Sequence, residues 1–227
     1  MITSAANPRL KLIRRLQSVV QRRRLGLFAV EGEDLVQAGL AAGLEPVDLL
    51  TAGEDVEPKL LAGVSELAHP PRVIGVFRRA DLLHDEIRSV GLALWQVADP
   101  GNVGTLIRTA DAFGAFVALS DGCADPTSSK ALRASAGAIF RVPLSEFDNA
   151  PAPRIALVPQ GGAPLAEVDL RERVTFVLGA ERDGVPAEIL ERCDATAWIP
   201  MAAGVESLNV AVAGAIALYE YTRRRGA

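Results

Sequence analysis

The polar side chains best suited to chemistry lie in three short segments, and each segment follows an apolar run typical of a buried strand. The segments span 99–108, 178–186 and 199–209 and are rich in Gly or in small polar residues. Glycine lets the backbone approach a ligand closely. Because ligands in open α/β sheets bind beyond the carboxyl ends of the strands, we expect these segments to form a binding site.

The first segment carries an amide and a guanidinium six residues apart, Asn102 and Arg108. Asn102 lies near the start of a predicted helix over 101–113, where its side chain could cap the helix or bind a ligand. An arginine on a helix that otherwise buries apolar residues needs a partner. Asp111 offers an ordinary helix-surface pair, so this segment alone leaves a structural and a functional interpretation open.

The second and third segments contain Glu181, Ser207 and Asn209. We predict that Ser207 caps the last helix, over 208–224. Asn209 would then be an unusual choice inside a helix. Each segment taken alone is equally compatible with an ordinary connection between a strand and a helix.

Several familiar catalytic patterns are missing from the sequence. It has no dinucleotide fingerprint, no phosphate-binding P-loop and no G-x-S-x-G turn. His69 and His84 lie outside the three segments, which disfavours most hydrolases. Cys123 and Cys193 lack metal-type spacing and indicate buried thiols in a reducing compartment rather than a disulfide.

The elements around the three segments predict an α/β fold in two parts. In the first part we predict one helix from residue 8 to residue 20, a helix over 33–40, and strands over 27–30, 47–50 and 73–77. In the second part we predict strands over 92–97, 116–119, 139–142, 154–158, 174–178 and 197–199, and helices over 101–113, 130–136, 187–192 and 208–224. Alternating strands and helices favour a mainly parallel sheet covered on both faces.

The N-terminal segment is strongly basic although the formal net charge of the chain is −4. Residues 1–24 contain seven basic side chains and no carboxylate. A local basic patch can attract phosphates even on an acidic protein, although a solvated helix face would have the same composition. No apolar stretch approaches the roughly 20 residues that cross a bilayer, and no secretion signal is evident, so we expect a soluble cytoplasmic protein.

Taken together and in this order, the three segments resemble the signature motifs of the SpoU (TrmH-like) family of SPOUT RNA 2′-O-ribose methyltransferases. Residues 102–114 match N-x-G-x-x-x-R-T-A-x-A-F-G, and residues 178–185 match L-G-x-E-x-x-G-V. Residues 199–210 match I-P-M-x-G-x-x-S-L-N-V with one extra residue before the glycine. Residues 128–138 and 28–32 also resemble family elements.

The resemblance implies a fold, a cofactor and an assembly. The implied fold is a small α/β substrate-binding domain over 1–88 followed over 89–227 by a mainly parallel sheet with a C-terminal trefoil knot. The implied enzyme is a homodimer joined through its last helix, and it uses S-adenosylmethionine and no metal. The implied cofactor contacts are Val158, Gly179, Gly184, Ile199, Met201 and Leu208.

The resemblance also implies roles for the polar residues. It makes Arg108 the catalytic residue, in company with Asn102, Glu181, Ser207 and Asn209. A general-base role is one interpretation, but a guanidinium with a pKa above about 12 gives up its proton reluctantly. A charged Arg108 would instead hold a phosphate and stabilise the developing alkoxide.

The expected substrate is structured RNA, and the N-terminal domain favours ribosomal over transfer RNA. The residues that we expect to contact RNA are Arg9, Arg22, Arg23, Arg24, Lys130 and Arg133. A transfer-RNA 2′-O-methyltransferase, a base-nitrogen methyltransferase of the wider SPOUT group, and a non-catalytic RNA-binding protein remain as alternatives. The missing dinucleotide fingerprint disfavours an oxidoreductase.

Overall fold

A computed structural model describes residues 1–82, 88–170 and 172–226. The first part of the chain folds around a small antiparallel sheet. Its strands are β1 (Leu27–Glu31), β2 (Asp48–Thr51) and β3 (Val73–Arg78), in the order β1-β3-β2. Its helices are α1 (Pro8–Leu16), α2 (Val19–Leu25), α3 (Glu33–Ala41) and α4 (Pro58–Ala62).

The predicted N-terminal helix is in fact two helices. Asn7 caps α1 as predicted, because its side chain accepts a hydrogen bond from the backbone N–H of Arg9 at 2.9 Å. The backbone leaves helical geometry at Ser18 and re-enters it at Val19. The extension to Val20 was wrong, since that side chain is 66% exposed and outside the apolar stripe.

The second part of the chain is built on a seven-stranded sheet. Its strands are β4 (Val90–Leu94), β5 (Phe116–Leu119), β6 (Leu144–Glu146), β7 (Arg154–Leu157), β8 (Ala163–Pro164), β9 (Val174–Leu178) and β10 (Ala195–Trp198). Its helices are α5 (Pro100–Ala112), α6 (Ser129–Ser135), α7 (Ala187–Leu190) and α8 (Val210–Arg224). The strand order is β6-β5-β4-β9-β7-β10-β8, and neighbouring strands in the described residues pair in parallel.

This sheet confirms the prediction of a mainly parallel α/β fold. The central strands β4 and β9 are buried along their whole length, as expected for strands covered on both faces. The three predicted site segments follow the carboxyl ends of β4, β9 and β10, so the parallel arrangement brings them to one edge of the sheet.

The strand predicted over 139–142 was wrong. The chain there forms a short 3₁₀ helix, Ala138–Phe140, and the strand begins only at Leu144. The apolar run is buried because Phe140 packs between Phe28 and Phe77, with ring centroids 6.5 and 6.0 Å away. A short apolar run in a sequence indicates that the segment is buried, but it does not distinguish a strand from a helix.

Helix α8 packs closely against α5 and the central strands of the sheet. A Cβ on Gly214 would lie 2.5 Å from Leu106 of α5 and 3.0 Å from Leu178 of β9. Glycine therefore allows α8 to contact both α5 and the central strands. In the part of the chain that the structure describes, no helix combines the length and apolar character needed to cross a membrane.

Candidate active site

Hydrogen bonds between side chains connect the three predicted segments. The Nδ2 of Asn102 donates to Oε1 of Glu181 at 3.0 Å. The Nδ2 of Asn209 donates to Oδ1 of Asn102 at 3.1 Å. One amide therefore bridges the other two segments, and its donor and acceptor ends are both fixed. The structure therefore brings the three segments together.

Glu181 holds the loop before α5 in addition to Asn102. Its carboxylate accepts hydrogen bonds from the backbone N–H groups of Ala98 and Asp99, both at 3.3 Å. Burial raises the pKa of Glu181, but the hydrogen bonds from Asn102 and the backbone outweigh it and leave the pKa below its ordinary value. The side chain is thus an ionised acceptor that joins two loops.

Asn209, and not Ser207, caps the last helix. The Oδ1 of Asn209 accepts hydrogen bonds from the backbone N–H groups of Ala211 at 2.9 Å and Val212 at 3.3 Å. The prediction of Ser207 as the cap was wrong, because the loop continues two residues further and the helix starts at Val210. Ser207 is exposed beside the adjoining cavity.

A cavity of about 510 Å³ opens next to this hydrogen-bonded chain. It lies between the loops that follow β7, β9 and β10 and the start of α8. The cavity is within the size range of small-molecule sites. The six residues predicted as cofactor contacts all line it, namely Val158, Gly179, Gly184, Ile199, Met201 and Leu208.

Backbone atoms form one wall of this cavity. A Cβ on Gly179 would lie 2.0 Å from the carbonyl carbon of Gly184. Only glycine at position 179 therefore lets the backbone of this loop approach itself so closely. Leu157, Ile199 and Leu208 add apolar surface, while Glu181 and Ser207 add polar groups. Apolar walls with a few polar groups are typical of small-molecule sites.

Arg108 lies on α5, outside the lining of this cavity. Six residues separate it from Asn102, which corresponds to roughly 9 Å along the helix. Its side chain is exposed and has no hydrogen bond or ion pair with the residues that the structure describes. The structural alternative, a pair with Asp111, is not formed, since that carboxylate binds Arg141 at 2.6 Å. The guanidinium is therefore free to meet a ligand.

The predicted RNA contacts divide into free and paired side chains. Arg23 and Arg24 are exposed and have no partner among the described residues. Arg133 is exposed and donates a hydrogen bond to Ser129. Lys130 pairs with Asp99 at 2.7 Å, and Arg9 pairs with Asp48. The paired groups would have to exchange a carboxylate for a phosphate in order to bind RNA.

Arg22 is buried, which contradicts its predicted role as an RNA contact. The residue is 5% exposed, and its Nε donates to Oδ2 of Asp125 at 2.7 Å. Its Nη1 donates to the backbone oxygens of Leu16 and Gln17. Arg79 binds the other oxygen of Asp125 at 2.8 Å, so the carboxylate joins the two parts of the chain.

The cysteines and the acidic residues form no metal centre among the described residues, where no group of three or more His, Cys, Asp or Glu side chains is arranged around an ion. Cys123 and Cys193 are free thiols. Burial raises the pKa of both thiols, which keeps them protonated at neutral pH. Of the two histidines, His84 lies outside the described residues.

The profile of the SpoU rRNA methylase family matches residues 89–219, which include all three segments. The chain belongs to the SpoU rRNA methylase family. Family membership therefore accounts for the order of the three motifs, whose residues form the hydrogen bonds from Glu181 through Asn102 to Asn209. The resemblance inferred from the sequence is confirmed.

Two RNA methyltransferases match this chain almost from end to end, and a third structure matches a smaller share. The 23S rRNA (guanosine(2553)-2′-O)-methyltransferase RlmP of Bacillus subtilis is 33% identical over 96% of this chain and 97% of its own. An AdoMet-bound rRNA methyltransferase from Sinorhizobium meliloti superposes with a TM-score of 0.87 at 30% identity, covering 98% of this chain and 97% of its own. A structure described for 2-OH methylation of C/U34 on tRNA has a TM-score of 0.55 at 34% identity, covering 60% of this chain and 95% of its own.

These findings confirm the expected class of enzyme and the expected cofactor. The chain is an RNA methyltransferase that depends on S-adenosylmethionine. The cavity described above fits that cofactor, because its backbone wall and apolar side chains surround a space of suitable size.

Proposed function

We propose that this enzyme methylates a ribose 2′-hydroxyl of ribosomal RNA. The observation that carries the proposal is the hydrogen-bonded chain from Glu181 through Asn102 to Asn209 at the mouth of the cofactor cavity. These hydrogen bonds fix two side-chain amides next to a cofactor site, and the hydrogen-bonded chain contains no histidine. The names of full-length relatives support the same reaction.

The cofactor supplies an electrophilic methyl group when it is bound. Gly179, Ile199 and Leu208 would hold it by backbone contacts and apolar packing, since they line the cavity. Asn102 and Asn209 would orient the ribose, because their amide groups are fixed by each other and by Glu181. The task that remains is to favour the ionised form of a hydroxyl that is a poor nucleophile at neutral pH.

Arg108 is proposed for that task as a charged group. A guanidinium near the ribose stabilises the developing alkoxide and binds the neighbouring phosphate, and neither role requires it to lose its proton. Its exposure and its lack of a partner among the described residues support a role toward substrate.

Ribosomal RNA is favoured over transfer RNA by the extent of the matches. Relatives named for 23S rRNA align with about nine-tenths of this chain or more, including its N-terminal part. The structure described for transfer RNA covers 60% of this chain. An RNA-reading N-terminal domain over 1–88 is therefore part of the proposal, with Arg23 and Arg24 as unpaired cations among the described residues. Arg133, on α6, would add a cation from the second part of the chain. The proposed substrate places the enzyme in the cytoplasm.

A homodimer and a trefoil knot complete the proposal. The chain leaves the sheet at β10, beyond β7, yet α8 returns to pack on β4, β9 and α5, which is the path that a knotted C-terminus requires. Val212 and Tyr219 expose apolar surface on α8, with 47% and 57% of each residue accessible.

The experiment uses tritiated S-adenosylmethionine with unmodified ribosomal and transfer RNA transcripts in parallel. We expect label in ribosomal RNA and little in transfer RNA. Label confined to transfer RNA would overturn the substrate class. Folded protein that fails to bind the cofactor would instead favour a non-catalytic RNA-binding protein.

A further inference from the structure

A second cavity, of about 420 Å³, lies between the two parts of the chain and away from the cofactor site. It opens beyond the carboxyl ends of β5 and β6. Both parts of the chain contribute to its lining, which includes Arg23, Ala80, Ser120, Asp121, Cys123 and Glu146. The reaction proposed above makes no use of this space.

The loop before α5 connects the two cavities. On one side, its backbone N–H groups at Ala98 and Asp99 donate to Glu181 in the cofactor cavity. On the other side, the N–H of Gln96 donates to the hydroxyl of Ser120 at 2.9 Å. Gln96 has a left-handed φ of 52°, a conformation that non-glycine residues seldom adopt and that this hydrogen bond helps to hold. The same short loop therefore contacts the lining of both cavities.

The lining of the second cavity has unused hydrogen-bonding capacity. The carboxylates of Asp121 and Glu146 are exposed, and neither forms a hydrogen bond or ion pair with the described residues. The guanidinium of Arg23 is likewise exposed and unpaired among those residues. Leu119 and Leu144 give the space an apolar wall.

This combination suits one nucleotide of single-stranded RNA. Carboxylates accept hydrogen bonds from exocyclic amino groups of bases, an apolar wall accepts the face of a base, and an arginine at the edge binds phosphate. Uracil presents no amino group and would be disfavoured.

We propose that this cavity binds a base that flanks the methylated nucleotide and carries an exocyclic amino group. Asp121 and Glu146 would accept from the amino group, while Arg23 would hold the adjoining phosphate. The inference rests on the proposed function and adds a site that selects the RNA. It also gives the interface between the two parts of the chain a direct role in recognition.

The test measures steady-state methylation of a short synthetic RNA that contains the position labelled by wild-type enzyme. Glu146→Gln keeps the size of the side chain and removes its charge, and Ala80→Phe fills the cavity from an exposed position. Glu54→Gln and Ala42→Phe change exposed residues outside the lining and serve as matched controls. We expect each cavity variant to raise KM for RNA by about ten-fold with kcat nearly unchanged.

A second arm distinguishes base recognition from a structural effect. Neighbouring nucleotides are replaced one at a time by analogues that lack the exocyclic amino group. We expect one position at which the analogue raises KM for the wild type by more than it does for Glu146→Gln, because the variant has already lost the charged acceptor. Additive effects at every position, or cavity variants that match their controls, would overturn the inference while leaving the proposed function intact. Wild-type enzyme that methylates no RNA would overturn both.

Discussion

At the scale of single residues, the site depends on a few side chains that each fix two neighbours. Asn209 caps a helix with its oxygen and orients Asn102 with its nitrogen. Asn102 in turn binds Glu181, which holds the loop before α5. Such a chain pre-organises polar groups before the substrate arrives, which is how an enzyme avoids reorganisation during the reaction.

Replacing Arg108 tests its proposed catalytic role. We expect Arg108→Ala to lower kcat by about 100-fold or more, because stabilisation of the alkoxide is lost. Cofactor affinity should stay within several-fold, since the side chain does not line the cavity. Single-turnover methylation and calorimetric cofactor titration measure the two effects, with the exposed Arg72→Ala as control. Near-normal turnover by Arg108→Ala would remove the residue from the mechanism.

Substitution of Gly179 tests whether the backbone around this residue forms part of the cofactor site. A methyl group on residue 179 would lie 2.0 Å from the carbonyl carbon of Gly184, so Gly179→Ala must shift the backbone of the loop that follows β9. We expect at least a ten-fold loss of cofactor affinity, equivalent to about 1.4 kcal/mol or more. Gly63→Ala is a suitable control, because its Cβ would make ordinary contacts at 3.4 Å or more. Unchanged cofactor binding in Gly179→Ala would contradict the assignment of the cavity.

At the scale of elements, the start of α8 decides the shape of the site. We expect Asn209→Ala to destabilise the fold by about 1 kcal/mol through loss of the helix cap. Ser207→Ala should leave stability unchanged, because Ser207 does not cap the helix. Urea unfolding of both variants measures the difference. Equal destabilisation by the two substitutions would contradict the cap assignment.

Long helices and strands with a clear apolar pattern are predicted well from the sequence. Their ends, and short segments such as a single 3₁₀ turn, are predicted less well. The strands β4, β5, β7 and β9 and the helix α5 lie within a few residues of their predicted positions, because each has a clear apolar pattern. The 3₁₀ helix at Ala138–Phe140 has the same apolar pattern as a strand, so its type was missed.

Sequence reasoning located the three segments of the candidate site but misplaced the cap of the last helix. Residue types and their order identify the three segments, but the cap depends on where the loop of 199–209 ends, which the sequence pattern does not fix. The burial of Arg22 depends on Asp125, which lies 103 residues further along the chain. No local pattern could reveal that pair.

At the scale of the whole molecule, Asp125 fastens the N-terminal part to the parallel sheet. It binds Arg22 and Arg79, and its side chain is 4% exposed. Burial raises the pKa of Asp125, but hydrogen bonds from Arg79, Thr127 and Arg22 outweigh it and lower the pKa from 3.8 to about 2. The ionised carboxylate is thus the favoured form in the folded protein over almost the whole pH range.

Asp125→Asn tests this attachment. The variant leaves Arg22 buried without a counter-charge and points N–H donors toward it, so we expect a loss of about 3 kcal/mol or more at neutral pH. Asp111→Asn removes a more exposed pair and should cost less than about 1 kcal/mol. Urea unfolding at pH 7 compares them. A cost for Asp125→Asn no larger than that for Asp111→Asn would contradict a fastening role.

The same carboxylate predicts a pH dependence of stability. Because the pKa of Asp125 is lower in the folded protein than in the unfolded chain, its contribution is complete above about pH 4 and is lost as the pH falls toward 2. The expected loss is about 2 kcal/mol. Wild type should show this acid-dependent component in urea unfolding, and Asp125→Asn should lack it.

The proposed homodimer makes a prediction about shared sites. Arg108 does not line its own chain's cavity, so in the proposed homodimer we expect it to serve the partner's cofactor site. We expect mixtures of Arg108→Ala and Gly179→Ala chains, assayed at a cofactor concentration too low for Gly179→Ala, to exceed the summed activities of the two variants through mixed dimers. Sedimentation checks the dimer. Dimers that mix without any recovery would confine Arg108 to its own chain's site.

The central claim, methylation of a ribose 2′-hydroxyl, is tested most directly by alkaline hydrolysis of RNA labelled with tritiated S-adenosylmethionine. A 2′-O-methyl group blocks attack on the adjacent phosphate, so the account predicts label in an alkali-stable dinucleotide. Label released as ordinary mononucleotides would mean that a base was methylated, and it would contradict the account.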